Sequence, residues 1–390
     1  MSDLAAYERD PYLTELDTAV LRAGEDGRPF AVLADTVLYP ESGGQPPDHG
    51  TLGAAEVLDV QKRDGEVRHY LSAPVAPGPV KVRLDWGRRF DHMQQHTGQH
   101  LLTAVAQDRF GWETKAFHLG EEVSDIELGV AAIGAAELRA LEEAVAESIR
   151  AARPVTAMRV KPEDLPGLGV RSRGLPEGFT GDVRLVTIEG VDTNTCGGTH
   201  VRSTAELEVV KLLGTESLRG GTRLFYVAGG RARRRFEAHE RRNGTLRSLL
   251  GAPDPGLVPA LEGRLEQTRN LDRKVRALEE ELADLLVEAL AARPGSLADH
   301  HFEGRDAAFL QKTGRLLAAA APHKAVFFTS TLEGQHYFLL TAGEASPLDV
   351  PARGRELAAL LEGRGGGSGR LFQGKAPSLK ARAAGAGLLG

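Results

Sequence analysis

Two pairs of metal-binding side chains, set a hundred residues apart, constrain how this chain can fold. The first pair, His96 and His100, flanks Thr-Gly-Gln, and the second pair, Cys196 and His200, flanks Gly-Gly-Thr. Residues at i and i+4 of a helix share one face, and a loop through two glycines can fold back so that its flanking side chains converge. Together the pairs supply the four nitrogen and sulfur donors of a tetrahedral zinc site. The sequence therefore predicts a fold in which distant segments meet at one metal ion.

The cysteine count and the charge limit the class of protein. Cys196 is the only cysteine among 390 residues, so a framework of internal disulfides is excluded and a reducing cytosol is favoured. The first residues lack the basic and apolar regions of a signal peptide, and no apolar run approaches membrane-spanning length. A formal net charge of -6 argues against non-specific affinity for nucleic acids, although it is compatible with a local basic face. We expect a cytoplasmic protein without a membrane partner.

The hydrophobic period changes along the chain and predicts an α+β protein of four parts. Short β-prone segments between glycines and prolines in residues 1–88 predict a small N-terminal β-barrel. Residues 89–230 mix helices and strands, with the histidine pair on a helix at 90–110, and predict a zinc-binding domain. Residues 231–295 form a helical segment with roughly heptad leucine spacing, typical of a coiled coil or a short helical hairpin. Residues 296–390 alternate helix and strand and predict a C-terminal α/β domain.

Three other stretches carry competing interpretations. The sequence Tyr-Pro-Glu-Ser-Gly-Gly-Gln at 39–45, after a predicted strand at 36–39, is typical of a hairpin connection, yet glycines also admit a ligand close to the backbone. The arginines around Arg233 and Arg234 indicate either a solvated helix face or a patch that contacts phosphates. The glycine run at 365–369 indicates a flexible tip or a phosphate cradle.

Two familiar enzyme classes are disfavoured by single residues. A zinc metalloprotease needs Glu directly after the first histidine of the pair as its general base, and Thr97 stands there instead. The sequence Asp-His-His at 299–301 spells a phosphoesterase signature, but the further Asp and His motifs of that class do not follow it. We interpret the second signature as a coincidence.

The motifs together resemble the alanyl-tRNA editing family, the free-standing relatives of the editing domain of alanyl-tRNA synthetase. Threonyl-tRNA synthetase editing domains share both ligand pairs, but the Gly-Gly-Thr between Cys196 and His200 favours the alanine branch. The region around the triple glycine resembles the domain that ends alanyl-tRNA synthetases and follows DHH phosphoesterase cores. Ser42 departs from the pattern, since many relatives have three glycines there. The similarity in the editing core rests on 39–45, Asp48, Gly50, 96–102 and 196–200.

The resemblance implies a hydrolase that deacylates mischarged tRNA(Ala) in trans, chiefly Ser-tRNA(Ala), with Gly-tRNA(Ala) as a second candidate. An alanine pocket cannot strongly reject glycine or serine, so a second, hydrolytic site restores accuracy. One Zn2+ per chain would be held by His96, His100, Cys196 and His200. The alternative is a tRNA-binding module with a purely structural zinc, because four protein ligands close a tetrahedral site. The ATP-binding core of a synthetase is absent, so the chain is not expected to charge tRNA.

The same resemblance suggests individual site residues. Thr36 is a candidate for the hydroxyl that recognises serine, and Gln45 and Gln99 are candidates for polar groups at the reacting ester. A homodimer through the helical segment and the C-terminal domain is a further expectation. The candidates for substrate binding are Gly43, Gly44, Gly197, Gly198, Thr199, Arg233 and Arg234.

Overall fold

The computed structural model of the chain describes residues 4–171 and 181–389, which fall into two compact units, Met1–Thr245 and Leu246–Gly390. Helices and sheets occur in both units, and the first unit contains a closed barrel of six strands. The predicted α+β class and the predicted N-terminal barrel are therefore confirmed. The division into four domains stays a prediction. Within the described ranges, no helix has the length and apolar character that crossing a bilayer requires.

The barrel follows a short helix, α1 (Ala6–Arg9). Every neighbouring pair of its strands is antiparallel, in the closed order β1-β2-β5-β4-β3-β6. In the fourth strand Ala55 and Val57 are buried while Glu56 and Leu58 are exposed, which is the period of two that a half-buried strand requires. The strands are β1 (Glu15–Glu25), β2 (Pro29–Leu33), β3 (Gly50–Leu52), β4 (Ala55–Arg63), β5 (Glu66–Leu71) and β6 (Gly78–Leu84).

Residues 36–39, which were predicted as a strand, are irregular. The backbone N–H of Leu38 donates to Thr36 Oγ1 at 3.0 Å, and that of Tyr39 donates to Asp48 Oδ2 at 2.7 Å. These side-chain acceptors take the hydrogen bonds that a neighbouring strand would otherwise take. The segment is buried and leads into the glycine-rich loop at 39–45.

The first long helix, α2 (Trp86–Phe110), carries the histidine pair and begins four residues before the predicted start. The side chain of Asp85 caps its first turn, and Gly111, with φ of 71°, ends it in the left-handed region. Gly98 allows the helix to pack closely on a sheet, since a Cβ there would lie 3.3 Å from the Cβ of Ala228.

The remainder of the first unit contains helix α3 and two sheets around one apolar core. This core includes Met93, Leu141, Ile188 and Leu224, which come from α2, α3 and both sheets. The elements are β7 (Thr114–Leu119), β8 (Ser124–Leu128), α3 (Ala135–Arg150), β9 (Val155–Val160), β10 (Val183–Ile188), β11 (Asp192–Thr195), β12 (Val210–Leu218) and β13 (Gly221–Ala228). Their sheet orders are β12-β13-β8-β7 and β11-β10-β9.

Two long helices, α4 (Gly230–Leu250) and α5 (Leu257–Ala291), occupy most of the predicted helical segment. An apolar stripe on α5 is exposed to solvent, with Leu271, Val275 and Leu278 each more than half exposed. The coiled coil and the homodimer stay predictions.

The second unit holds a five-stranded sheet in the order β14-β15-β16-β18-β17, in which only the first pair is parallel. The glycine run at 365–369, predicted as a flexible tip or a phosphate cradle, lies largely in its edge strand. A Cβ at Gly367 would come within 1.9 Å of Leu371 O, so the hairpin needs glycine there. The elements are β14 (Leu297–Glu303), α6 (Ala307–Ala320), β15 (Ala325–Leu332), β16 (Gln335–Ala342), α7 (Val350–Leu360), β17 (Arg364–Ser368), β18 (Leu371–Ala376) and α8 (Arg382–Leu389).

Candidate metal centre

The four predicted ligands meet at one point in the first unit. One donor atom from each of His96, His100, Cys196 and His200 lies within 4.8 Å of the other three. The Sγ of Cys196 is 3.4 Å from His96 Nε2 and 3.3 Å from His200 Nε2. The three imidazoles are buried, and Cys196 is partly buried. The cluster therefore has the donors and the spacing to hold a metal ion.

Gln45 fixes the ring of His96. The Nδ1–H of His96 donates to Gln45 Oε1 at 2.9 Å, and the backbone N–H of Thr199 donates to the same oxygen at 3.0 Å. The amide of Gln45 completes the contact by donating through Nε2 to Thr199 Oγ1 at 2.9 Å. Because the proton of His96 is held at Nδ1, its Nε2 lone pair is left for the cluster.

The other two imidazoles face a hydroxyl and a carboxylate at Nδ1, the first at hydrogen-bond distance and the second at ion-pair distance. Thr97 Oγ1 lies 3.1 Å from His200 Nδ1 and accepts from the backbone N–H of Val201 at 3.2 Å. Asp192 Oδ2 lies 3.5 Å from His100 Nδ1. Metal-binding histidines characteristically have such a partner on the nitrogen that faces away from the metal. The arrangement around each ring is therefore that of a ligand.

The electrostatics of the cluster favour a thiolate. Burial would raise the pKa of Cys196, but the neighbouring imidazoles of His96, His200 and His100 lower that pKa well below its ordinary value. Burial would lower the pKa of His100, but Cys196 and Asp192 raise it to about 9. Thiolate is the form of cysteine that binds metals, so the surroundings of Cys196 favour the form that can act as a ligand.

The donor set fits zinc. One thiolate and three imidazole nitrogens form a set that zinc accepts in tetrahedral sites. The guanidinium of Arg184 also donates to the carbonyl oxygens of Cys196 and Gly198, both at 2.8 Å. These bonds hold the ligand loop in place from behind.

Gly198 is the position where the ligand loop tolerates no side chain. A Cβ there would lie 2.2 Å from His96 Cε1, 2.4 Å from His96 Nδ1 and 2.8 Å from Gln45 Oε1. We expect Gly198→Ala to displace the His96 ring and to weaken zinc binding by at least about tenfold, measured by competition with a chromophoric chelator.

The neighbouring glycine supplies the control for this prediction. A Cβ at Gly197 would meet no atom within 4 Å, so Gly197→Ala should bind zinc like the wild type. Equal affinities for the two alanine variants would contradict the role given to Gly198.

A cavity of about 860 Å³ opens on the cluster and brings several predicted residues together. Gly43 and Gly44 lie on one side of it, and Gly197 lies beside Cys196. Gln99 also lines the wall; it donates through Nε2 to Thr103 Oγ1 at 2.9 Å, while its buried Oε1 has no hydrogen-bond partner among the described residues. The cavity wall next to the ligands therefore contains a polar side chain with an unused acceptor buried within it.

Other predicted residues lie elsewhere. Gln45 is fully buried, and the contacts to His96 and Thr199 occupy its amide, so Gln45 and Thr199 form the support behind the ligands. Thr36 lies on a different cavity, beside the barrel, with its hydroxyl 2.9 Å from His69 Nε2. The structure does not bring the Thr36 hydroxyl to the cluster.

The two predicted arginines on α4 are likewise outside the cavity. Arg233 Nε lies 2.7 Å from Glu208 Oε2, and an Nη of Arg234 lies 3.0 Å from Asp91 Oδ1. Both arginines are exposed, and both form ion pairs with side chains from other segments. A phosphate that bound there would compete with those carboxylates.

Sequence reasoning missed three contributors to the centre. Thr97 counted only as evidence against a protease, although its hydroxyl faces His200. Asp192 stands four residues before Cys196 in a short polar strand, and Arg184 stands twelve residues before it. A polar residue close in sequence to a ligand pair is a weak signal, and only the fold shows which of them turn toward the ligands.

Comparisons with known proteins show the family of the chain. The family model described as threonyl and alanyl tRNA synthetase second additional domain matches residues 183–226, which include Cys196 and His200. The chain is 37% identical over 394 residues to the alanyl-tRNA editing protein Aarsd1 of Danio rerio, covering 96% of this chain and 94% of that protein. The chain belongs to the alanyl-tRNA editing proteins. The resemblance inferred from the motifs is thereby confirmed.

Other alanyl-tRNA editing proteins extend the similarity beyond vertebrates. The protein AlaX-L of Pyrococcus horikoshii is 26% identical over 396 residues, covering 95% of this chain and 93% of its own. Among solved structures, the C-Ala domain of Aquifex aeolicus alanyl-tRNA synthetase matches 24% of this chain and 89% of that domain, with 22% identity and a TM-score of 0.22. Relatives named as editing proteins therefore match this chain along nearly its whole length.

Proposed function

We propose that this protein hydrolyses the ester bond of mischarged tRNA(Ala) in trans, chiefly that of Ser-tRNA(Ala), with Gly-tRNA(Ala) as a second substrate. The observation that carries the proposal is the four-ligand cluster on the wall of an open cavity. Full-length relatives named alanyl-tRNA editing proteins support the choice of tRNA. Serine and glycine are the amino acids that an alanine pocket rejects poorly, so they are the errors that such an enzyme would remove.

We propose that one Zn2+ is the resident metal, held by His96, His100, Cys196 and His200. When bound, zinc supplies Lewis-acid activation of the ester or of the attacking water. The protein's own groups orient the ligands, since Gln45 holds the ring of His96.

We propose separate roles in substrate binding for three residues that line the cavity. Gln99 is the candidate for a polar contact to the aminoacyl group, because the residue lines the cavity and its buried Oε1 has no hydrogen-bond partner among the described residues. Gly43 and Gly44 would let the terminal nucleotide approach the backbone, as both have positive φ (58° and 79°) and lie on the same cavity. We also propose that the protein forms a homodimer and that it is located in the cytoplasm.

A deacylation assay tests the function. Purified wild-type protein, with its zinc content measured, is tested on the seryl, glycyl and alanyl esters of tRNA(Ala). It should hydrolyse Ser-tRNA(Ala) at least about tenfold faster than Ala-tRNA(Ala), since an editing site restores accuracy only if it spares the correct ester. A chelator should remove the activity, and added zinc should restore it. His100→Ala is the inactive control.

The competing function has a distinct outcome in the same experiment. A tRNA-binding module with structural zinc would bind tRNA(Ala) and unfold on chelation, yet leave all three aminoacyl esters intact. The proposed editing activity would therefore be refuted if protein with stoichiometric zinc left Ser-tRNA(Ala) intact.

A further inference from the structure

His100 differs from the other two imidazoles of the cluster in the group that faces its outer nitrogen. The outer nitrogens of those two imidazoles face a neutral amide and a neutral hydroxyl. His100 Nδ1 instead faces the carboxylate of Asp192, with Oδ2 3.5 Å away. The side chain of Asp192 is only 1% exposed, so this negative charge lies inside the protein.

A buried carboxylate needs positive partners, and a second contact supplies one. Arg171 Nε lies 3.0 Å from Asp192 Oδ1. The same guanidinium donates to both carboxylate oxygens of Asp108, at 2.7 Å and 2.6 Å. The backbone N–H of Arg171 donates to Thr193 O at 2.8 Å, which fixes the arginine beside the strand that carries Asp192. Each oxygen of the Asp192 carboxylate therefore lies at ion-pair distance from a basic side chain, and neither forms a hydrogen bond within the described residues.

These contacts form a chain of side chains that begins and ends on the same helix, α2. His100 and Asp108 both lie on α2, eight residues and a rise of about 12 Å apart. Arg171 and Asp192 span the interval between them, so the carboxylate is positioned relative to the same helix that carries the ligand.

We propose that Asp192 is a positioning residue for the metal centre and that Arg171, anchored by Asp108, holds it there. The proposal rests on the metal site of the proposed function. The carboxylate keeps the imidazole proton of His100 on Nδ1, so the Nε2 lone pair is directed at the cluster, and it makes the ring a stronger donor than a neutral partner does. Arg171 offsets the cost of burying the carboxylate.

The test measures metal affinity, with Zn2+ in competition with a chromophoric chelator and Co2+ followed by its absorption bands. Asp192→Asn keeps the shape and removes the charge. We expect it to raise the Kd for both ions by about 10- to 100-fold, and to change the Co2+ ligand-field bands while the thiolate charge-transfer band persists, because Cys196 is untouched.

A second carboxylate–imidazole pair provides a matched control. Glu303 Oε1 lies 3.1 Å from His301 Nε2, and neither residue is part of the cluster. Glu303→Gln should leave the affinity for both ions unchanged. A Kd for Asp192→Asn equal to that of Glu303→Gln would overturn the proposal.

Arg171→Gln is the second variant, for the case in which Asp192→Asn does not fold. The arginine side chain is 32% exposed, so its substitution disturbs the interior less than substitution of the buried aspartate. The substitution should weaken binding by a smaller factor, about tenfold; an unchanged Kd in a folded Arg171→Gln would overturn the proposal. Wild-type protein that binds neither ion would instead refute the metal site itself, so the two failures are distinguishable.

Discussion

Cys196→Ala is expected to weaken zinc binding by more than about 100-fold, since loss of an outer-shell partner alone costs 10- to 100-fold. It is also expected to abolish hydrolysis of Ser-tRNA(Ala). The thiolate is the only anionic donor of the cluster, and its loss would leave three ligands where a structural tetrahedral site has four. Zinc content and chelator competition measure the first consequence, and the deacylation rate measures the second, on one preparation.

His323→Ala is the control for the cysteine variant. His323 is an exposed histidine that lies outside the four-ligand cluster. The variant should retain both zinc and activity. A Cys196→Ala protein that kept stoichiometric zinc and the wild-type rate would show that the thiol is not a ligand.

Arg89→Met is expected to lower the free energy of unfolding by about 3–5 kcal/mol, because breaking a buried ion pair leaves one charge without a partner. Arg89 and Asp48 are both fully buried, and the guanidinium contacts the carboxylate through Nε and an Nη. It also donates to the carbonyl oxygens of Pro11, at 2.8 Å, and Val37, at 2.6 Å. One side chain at the start of α2 therefore ties together three segments around the barrel.

Urea unfolding followed by tryptophan fluorescence measures this loss. The chain has two tryptophans, Trp86 and Trp112, and both lie in the first unit, so the signal reports on the unit that contains the ion pair. Arg83→Met is the control: Arg83 and Glu15 are 59% and 51% exposed, and an exposed pair contributes about 0–1 kcal/mol. Equal losses for the two variants would contradict the argument from burial.

The parts of the site that sequence could predict are those with a short-range pattern. The i,i+4 spacing of His96 and His100 needs only a helix, and the loop from Cys196 to His200 needs only its glycines. Both patterns are local, so their geometry follows from the backbone. Alternating β-prone segments indicated the barrel for the same reason.

The parts that sequence could not predict depend on contacts between distant residues. Residues 36–39 are β-prone, but Asp48 supplies the acceptor for Tyr39 N, and that contact overrides local preference. Asp192 lies in a four-residue strand without an apolar period, so nothing local marks it as the partner of His100.

The arginines of α4 show that surface charge, too, depends on contacts between residues that are distant in sequence. A cluster of like charges in sequence suggested a basic patch. The fold brings Asp91 and Glu208 to Arg234 and Arg233, and these acids neutralise part of the patch. Local charge density is therefore a poor guide to the field that a ligand meets.

The contact of Gln45 with His96 and Thr199 determines how small a fragment could still contain the complete centre. Gln45 belongs to the barrel region, whereas the ligands come from α2 and the loop at 196–200. A fragment cut at residue 89 would keep all four ligands and lose the amide that orients one of them. Anyone who grafts this centre onto another scaffold must carry the barrel with it.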